Sequence, residues 1–135
     1  APWRDWMIAL GLAYDLPPTT VTFFPDPTTR LQRELRVLGD DLGRSQAIPA
    51  ARFLTALAAR MPYIDGGETL QAVARLMGYT PPPRCSIALS HALRALHDDS
   101  VLRLQWLGDS ENALALAPDL LHPIKAVTTV TITGR

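Results

Sequence analysis

The sequence predicts a mainly α protein with small β-hairpin elements. Apolar residues recur at helical spacing along several stretches of the chain. Short β-branched or alternating stretches lie between and after them, and proline or glycine marks nearly every junction. The 135 residues give room for one ordinary domain or two very small ones. With 47% hydrophobic and 19% charged residues there is material for a real core.

Pro2 to Ala13 reads as the first helix. Pro2 suits a first helical position and Asp5 suits the positive end of the helix dipole. Trp3, Trp6, Met7 and Leu10 recur at helical spacing and are expected to form its buried stripe. Pro17-Pro18 forces an extended stretch, and Thr19 to Phe24 (TTVTFF) reads as a strand. Asp26 can cap the next helix with Pro27 at its first position.

That helix covers Thr28 to Leu38 and can run on to Leu42, with Leu31, Leu35, Leu38 and Leu42 on one stripe. A short link, GRSQAIP, leads to a helix over Pro49 to Met61, with Phe53, Leu54, Leu57 and Met61 inside. Glu68 to Met77 is the next, with Leu70, Val73, Ala74 and Met77 inside and Gly78 at the left-handed stop position. TPPPR at 80–84 cannot be helical. Cys85 to Asp98 can: Cys85, Leu89, Ala92, Leu93 and Leu96 cover one face, and Ile87, Ser90, His91, Arg94 and Asp98 the opposite one. Val101 to Leu107 alternates, with Leu102, Leu104 and Trp106 on one side. GDSEN at 108–112 is a turn, and Ala113 to Ala117 returns as the second strand of a hairpin. Ile124 to Thr133 has β character and can join a sheet edge of this chain or of a partner.

Three helices followed by a hairpin resemble a winged helix-turn-helix domain over residues 47–118, carried most clearly by LSHALRALHDDSVLRLQWLGDSENALALAP. Residues 1–46 form a helix-strand-helix segment before it. The helix ending ALGLAYDL, the strand and PDP are similar to the last helix and wing of a second such unit, so 1–46 reads in part as the remnant of a first winged helix and the chain as a piece of a longer protein. Residues 119–135 form a β-type tail. The LGLA and PDPT stretches resemble accessory proteins of bacterial phage-defence operons.

Catalytic and metal-binding patterns are missing from the sequence. There is no glycine-rich phosphate loop. His91 and His97 are six apart and do not share a helix face, so neither a metal nor another cofactor is expected. Asp40-Asp41 and Asp98-Asp99 sit near helix ends, where solvated turn roles prevail. Cys85, the single cysteine, lies on an apolar stripe and reads as a buried structural thiol rather than a nucleophile. No apolar run reaches the roughly 20 residues of a membrane span, and no signal peptide opens the chain. The expectation is a cytoplasmic, non-enzymatic binding protein with no membrane contact.

The winged-helix resemblance implies a DNA-binding face on the last helix. Arg84 would meet a phosphate, Arg94 a guanine and Ile87 a thymine methyl, with Ser86, Ser90 and His91 beside them. Charge opposes this. The chain is neutral, with 13 basic and 13 acidic side chains. Asp98, Asp99, Asp109 and Glu111 would lie close to phosphates. Two readings therefore stand: contact with double-stranded DNA inside a larger assembly, or a protein-protein scaffold or homo-oligomer in which Ile87 and Trp106 are contact residues.

Overall fold

The structure is a computed structural model and describes residues 2–15, 23–108 and 111–133. Among these residues it is a mixed α/β fold with five helices, a three-stranded antiparallel sheet and two two-stranded antiparallel ribbons. The elements are α1 (Pro2–Ala9), β1 (Ala13–Asp15), β2 (Phe23–Pro25), α2 (Thr28–Leu42), β3 (Ala47–Pro49), α3 (Ala50–Arg60), α4 (Glu68–Leu76), α5 (Ile87–Asp98), β4 (Leu102–Gln105), β5 (Leu114–Ala115), β6 (Ala126–Val127) and β7 (Thr129–Ile132).

The core is built by helical spacing that the sequence already displays. Leu31, Leu35 and Leu38 of α2 meet Phe53 and Leu57 of α3 and Leu89, Leu93 and Leu96 of α5 in one apolar cluster. The i, i+4, i+7 pattern in α2 and α5 puts each trio on one face, where burial of each leucine contributes roughly 1.5–3 kcal/mol. Ile48, Val130 and Leu104 lie opposite one another across the sheet and close the cluster from the other side.

The three-stranded sheet has the order β3-β7-β4, antiparallel throughout. This corrects the expected hairpin between 101–107 and 113–117. β4 pairs with β7 over four residues, from Leu102 opposite Ile132 to Gln105 opposite Thr129. β5 pairs instead with β6 over two residues. The reason is side-chain chemistry. The tail segment Thr129–Ile132 alternates β-branched residues, with Val130 and Ile132 buried, whereas ALALA is built from residues with little strand preference. The tail therefore takes the centre of the sheet rather than an edge, and β3, expected as a link, is the strand on its far side.

Other expectations are corrected by length and burial. α1 stops at Ala9 and buries none of its residues; Trp3, Trp6 and Leu10 are exposed. The likeness of α1 to a core helix fails because an apolar stripe needs a surface to bury against. Within α4 only Ala74 is fully buried; Val73 and Met77 are exposed, because the helix lies at the rim of the core. Trp106, aligned in the sequence with the inward Leu102 and Leu104, lies beyond the end of β4 and is exposed. Thr19–Thr22 of the expected first strand lie outside the described residues.

Helix starts and stops follow local chemistry. Pro27, expected as the first helical residue, is instead the N-cap of α2, and Asp26 Oδ1 accepts the Thr28 N–H across it at 2.9 Å. Gly11 sits at φ 74, and a Cβ there would meet the Arg30 amide nitrogen at 2.9 Å. That close approach lets Gly11 accept the Arg30 N–H at 3.0 Å and docks the β1–β2 ribbon on the start of α2.

One buried charge joins α2 to α3. Glu34 is buried and pairs with Arg30 at 2.6 Å and with Arg60 Nε. Removing the carboxylate leaves two guanidiniums facing each other, although both arginines reach solvent. Glu34→Ala is therefore expected to lower unfolding free energy by about 2–3 kcal/mol in a urea titration. A loss below about 0.5 kcal/mol would mean the pair is no more than a screened surface contact.

Candidate interaction surface around α5

Ser86 begins α5. Its Oγ accepts the Leu89 N–H at 3.2 Å, a helix cap, and donates to Asp65 at 2.6 Å. The Ser86 backbone N–H also donates to Asp65, so both carboxylate oxygens are engaged. Helix α5 therefore begins at Ile87, two residues later than the periodicity suggests, and Cys85 stands before it in the core.

The six residues expected to face DNA divide into two groups. Arg84, Ser86, Ile87 and His91 are exposed, Ile87 at 80%. Ser90 and Arg94 are not on the open face: they are 1% and 5% exposed. Ser90 Oγ accepts the Ala117 N–H at 2.8 Å. Arg94 donates from Nε and Nη2 to the Ile124 carbonyl, at 3.1 and 2.8 Å. A buried guanidinium needs acceptors, and a chain segment laid over the helix supplies one. The wheel placed both residues opposite the leucine face. It could not show that residues 113–125 cross that side of the helix.

The open strip of α5 is what remains: Ile87, His91 and Asp98. Acids flank it. Asp26 Oδ2 is 3.7 Å from His91 Nε2, and Asp98 Oδ1 is 3.1 Å from His122 Nε2. His122 Nδ1 accepts the Ile124 N–H at 3.2 Å, so Nε2 carries the ring proton and donates to Asp98. His97 turns the other way, its Nδ1 accepting the Leu104 N–H at 3.1 Å. Among the described residues, no three His, Cys, Asp or Glu side chains group as a metal site would require.

Beside α5 lies an open groove of about 880 Å³, between the α4 side and the start of α5. Leu54, Leu70, Tyr79, Ile87 and Leu114 supply much of its apolar wall, Pro81–Pro83 one edge, and Arg84 a charge at the rim. Leu76, Met77 and Tyr79 add exposed apolar surface on the adjoining end of α4. Sequence reasoning missed this patch by assigning Val73 and Met77 to the core. The available signal was that α4 carries apolar residues on more sides than one buried stripe requires: Val73, Leu76 and Met77 in addition to Leu70 and Ala74.

A second apolar feature was also missed. Leu120 and Leu121 are 99% and 95% exposed. They stand on a turn in which Asp119 Oδ1 accepts the N–H groups of Leu121 and His122, at 2.9 and 3.3 Å. The Leu121 amide bond is the chief reason the Asp119 carboxyl lies below its ordinary range. An acid between prolines, PDLLHP, was the legible sign of a built turn.

The site thus belongs to a small mixed α/β protein with a largely apolar, concave surface and few open charges. A family model described as DpdG-like matches residues 1–110, and the chain belongs to the DpdG-like family. That membership fits the resemblance to bacterial defence-operon proteins. No curated protein matches the chain. No solved structure matches it either. Among the described residues, no helix is long and apolar enough to cross a membrane.

Burial pushes the Cys85 thiol up to about 12, with Asp65 adding to the rise and Arg94 opposing it. A neutral, covered thiol reacts slowly. In the native protein, Cys85 is expected to resist a thiol-labelling reagent at neutral pH and to react fully after unfolding in urea. Rapid native labelling would show that the α5 start opens freely.

Proposed function

We propose that the chain is a non-enzymatic, cytoplasmic winged-helix binding module of a defence-operon assembly, and that its direct partner is a protein. The winged-helix reading is supported by connectivity. In order, α2, β3, α3, α5, β4 and β7 follow the helix and strand sequence of that fold, with α4 added between its second and third helices and β5 and β6 before its last strand; the unit so read runs over Thr28–Ile132 rather than the expected 47–118. The sheet order β3-β7-β4 is that of its first, third and second strands.

The observation that carries the protein-partner reading is the inward use of Ser90 and Arg94. A helix that reads bases needs polar side chains free to enter the major groove. Here the open strip offers Ile87 and His91 between Asp26 and Asp98. Those acids oppose phosphates, and the neutral chain offers no general attraction to compensate. An apolar groove with few charges suits a protein surface instead.

Double-stranded DNA is the second reading, favoured by one observation: Arg84 is exposed at the head of α5 beside Ser86 and Ile87. A titration with labelled random duplex at two salt concentrations separates the two. The protein-partner reading expects no micromolar binding even at low salt, and no change with Arg84→Ala. Binding that falls steeply with salt and weakens in Arg84→Ala would establish phosphate contact and overturn it.

A further inference from the structure

The geometry points to a reciprocal contact between two copies of this chain, in which the Leu120–Leu121 knob of each fills the α4–α5 groove of the other. This rests on the reading of the chain as a protein-binding module, and it names the partner as a second copy.

The knob is convex, apolar and held in shape. Leu120 and Leu121 touch almost nothing of their own chain. Five polar contacts nevertheless fix the turn that carries them. Asp119 caps two amides, Lys125 Nζ donates to the Asp119 carbonyl, His122 donates to Asp98, and Arg94 donates to the Ile124 carbonyl. A segment this constrained loses little entropy on docking. Two adjacent leucines held in water on such a turn are apolar area whose burial by docking would be favourable.

The groove is concave and apolar, and its volume of about 880 Å³ falls in the range of binding clefts. Its charge matches the knob. The Arg84 guanidinium at the rim has no ion-pair partner among the described residues. The knob's base carries Asp119, whose Oδ2 accepts no hydrogen bond among the described residues, although the charges of Arg94 and Lys125 act on it from its own chain. Asp65, the acid that lines the groove, is already occupied by Ser86.

Knob and groove are also neighbours. Leu114 and Ala117 line the groove, and Ala117 stands three residues before Leu120, a reach of at most about 11 Å. The knob does not fill its own groove, because Leu120 is 99% exposed. Complementary features this near each other can be exchanged about a two-fold axis. Such an exchange covers both pairs and closes the assembly at a dimer.

Sedimentation velocity of the full chain over a wide concentration range, with a trace of labelled random duplex, tests this. The wild type is expected to dimerise while the duplex sediments free. Leu120→Asp and Ile87→Asp change exposed side chains, so circular dichroism should stay native. Each should raise the dimer dissociation constant at least about 30-fold, as loss of a central anchor does. An equimolar mixture of the two variants should recover part of the dimer, because one knob and one groove remain intact. A wild type that stays monomeric at every concentration would overturn the exchange. So would a dimer indifferent to both substitutions, such as one built on Trp3 and Trp6, or a mixture that recovers nothing. Those outcomes leave the protein-partner reading standing, whereas duplex moving with the protein would overturn that reading itself.

Discussion

A guanidinium withdrawn from water must find acceptors, and Arg94 finds the Ile124 carbonyl. Much of the surface depends on that constraint. The bond brings residues 113–125 across α5, where Ser90 fixes a second point at Ala117. The same stretch then carries β5 to β6 and leads β7 into the middle of the sheet. Polar residues that might have faced outward act as fasteners, and beside the fastened segment stand two apolar features, a groove and a leucine pair.

The interior depends on different forces. Leucines at helical spacing on α2 and α5 set the mutual placement of those helices, and Phe53 and Leu57 bring α3 against them. Val130 and Ile132 close the cluster through the sheet. Glu34 adds direction between α2 and α3 through its two arginines, since a carboxylate shared by Arg30 and Arg60 tolerates only a narrow range of helix placements. Stability thus comes mainly from apolar burial, while the polar contacts select one arrangement of the surface segments.

Much of this fold was legible in the sequence, and the limits were physical. Four of the helices lie close to where apolar periodicity places them, because Leu31, Leu35, Leu38, Leu89, Leu93 and Leu96 mark their own inward faces. Strand pairing was not legible. Alternation marks Leu102 and Leu104 as a strand but says nothing of the partner, and the nearest candidate, ALALA, lost to a more strongly β-forming tail. Burial of polar residues was hidden for the same reason: a wheel shows which face a helix turns to its own core and cannot foresee a loop returning from 20 or more residues away to cover Ser90 and Arg94. Of the surface residues, Arg84, Ile87 and His91 were placed correctly as exposed. The groove wall from α4 and the leucine knob went unseen because apolar residues were assigned inward by default.

Amide hydrogen exchange over residues 113–125 tests the central claim most directly. If Arg94 and Ser90 serve the fold, the Ala117 amide should be protected in the wild type, and Arg94→Ala should release this segment while the leucine core of α2 and α5 stays protected. If the segment exchanges freely in the wild type, or if Arg94→Ala changes nothing, the guanidinium is not a fastener. Arg94 would then return to the open face of α5 as a candidate for contact with DNA.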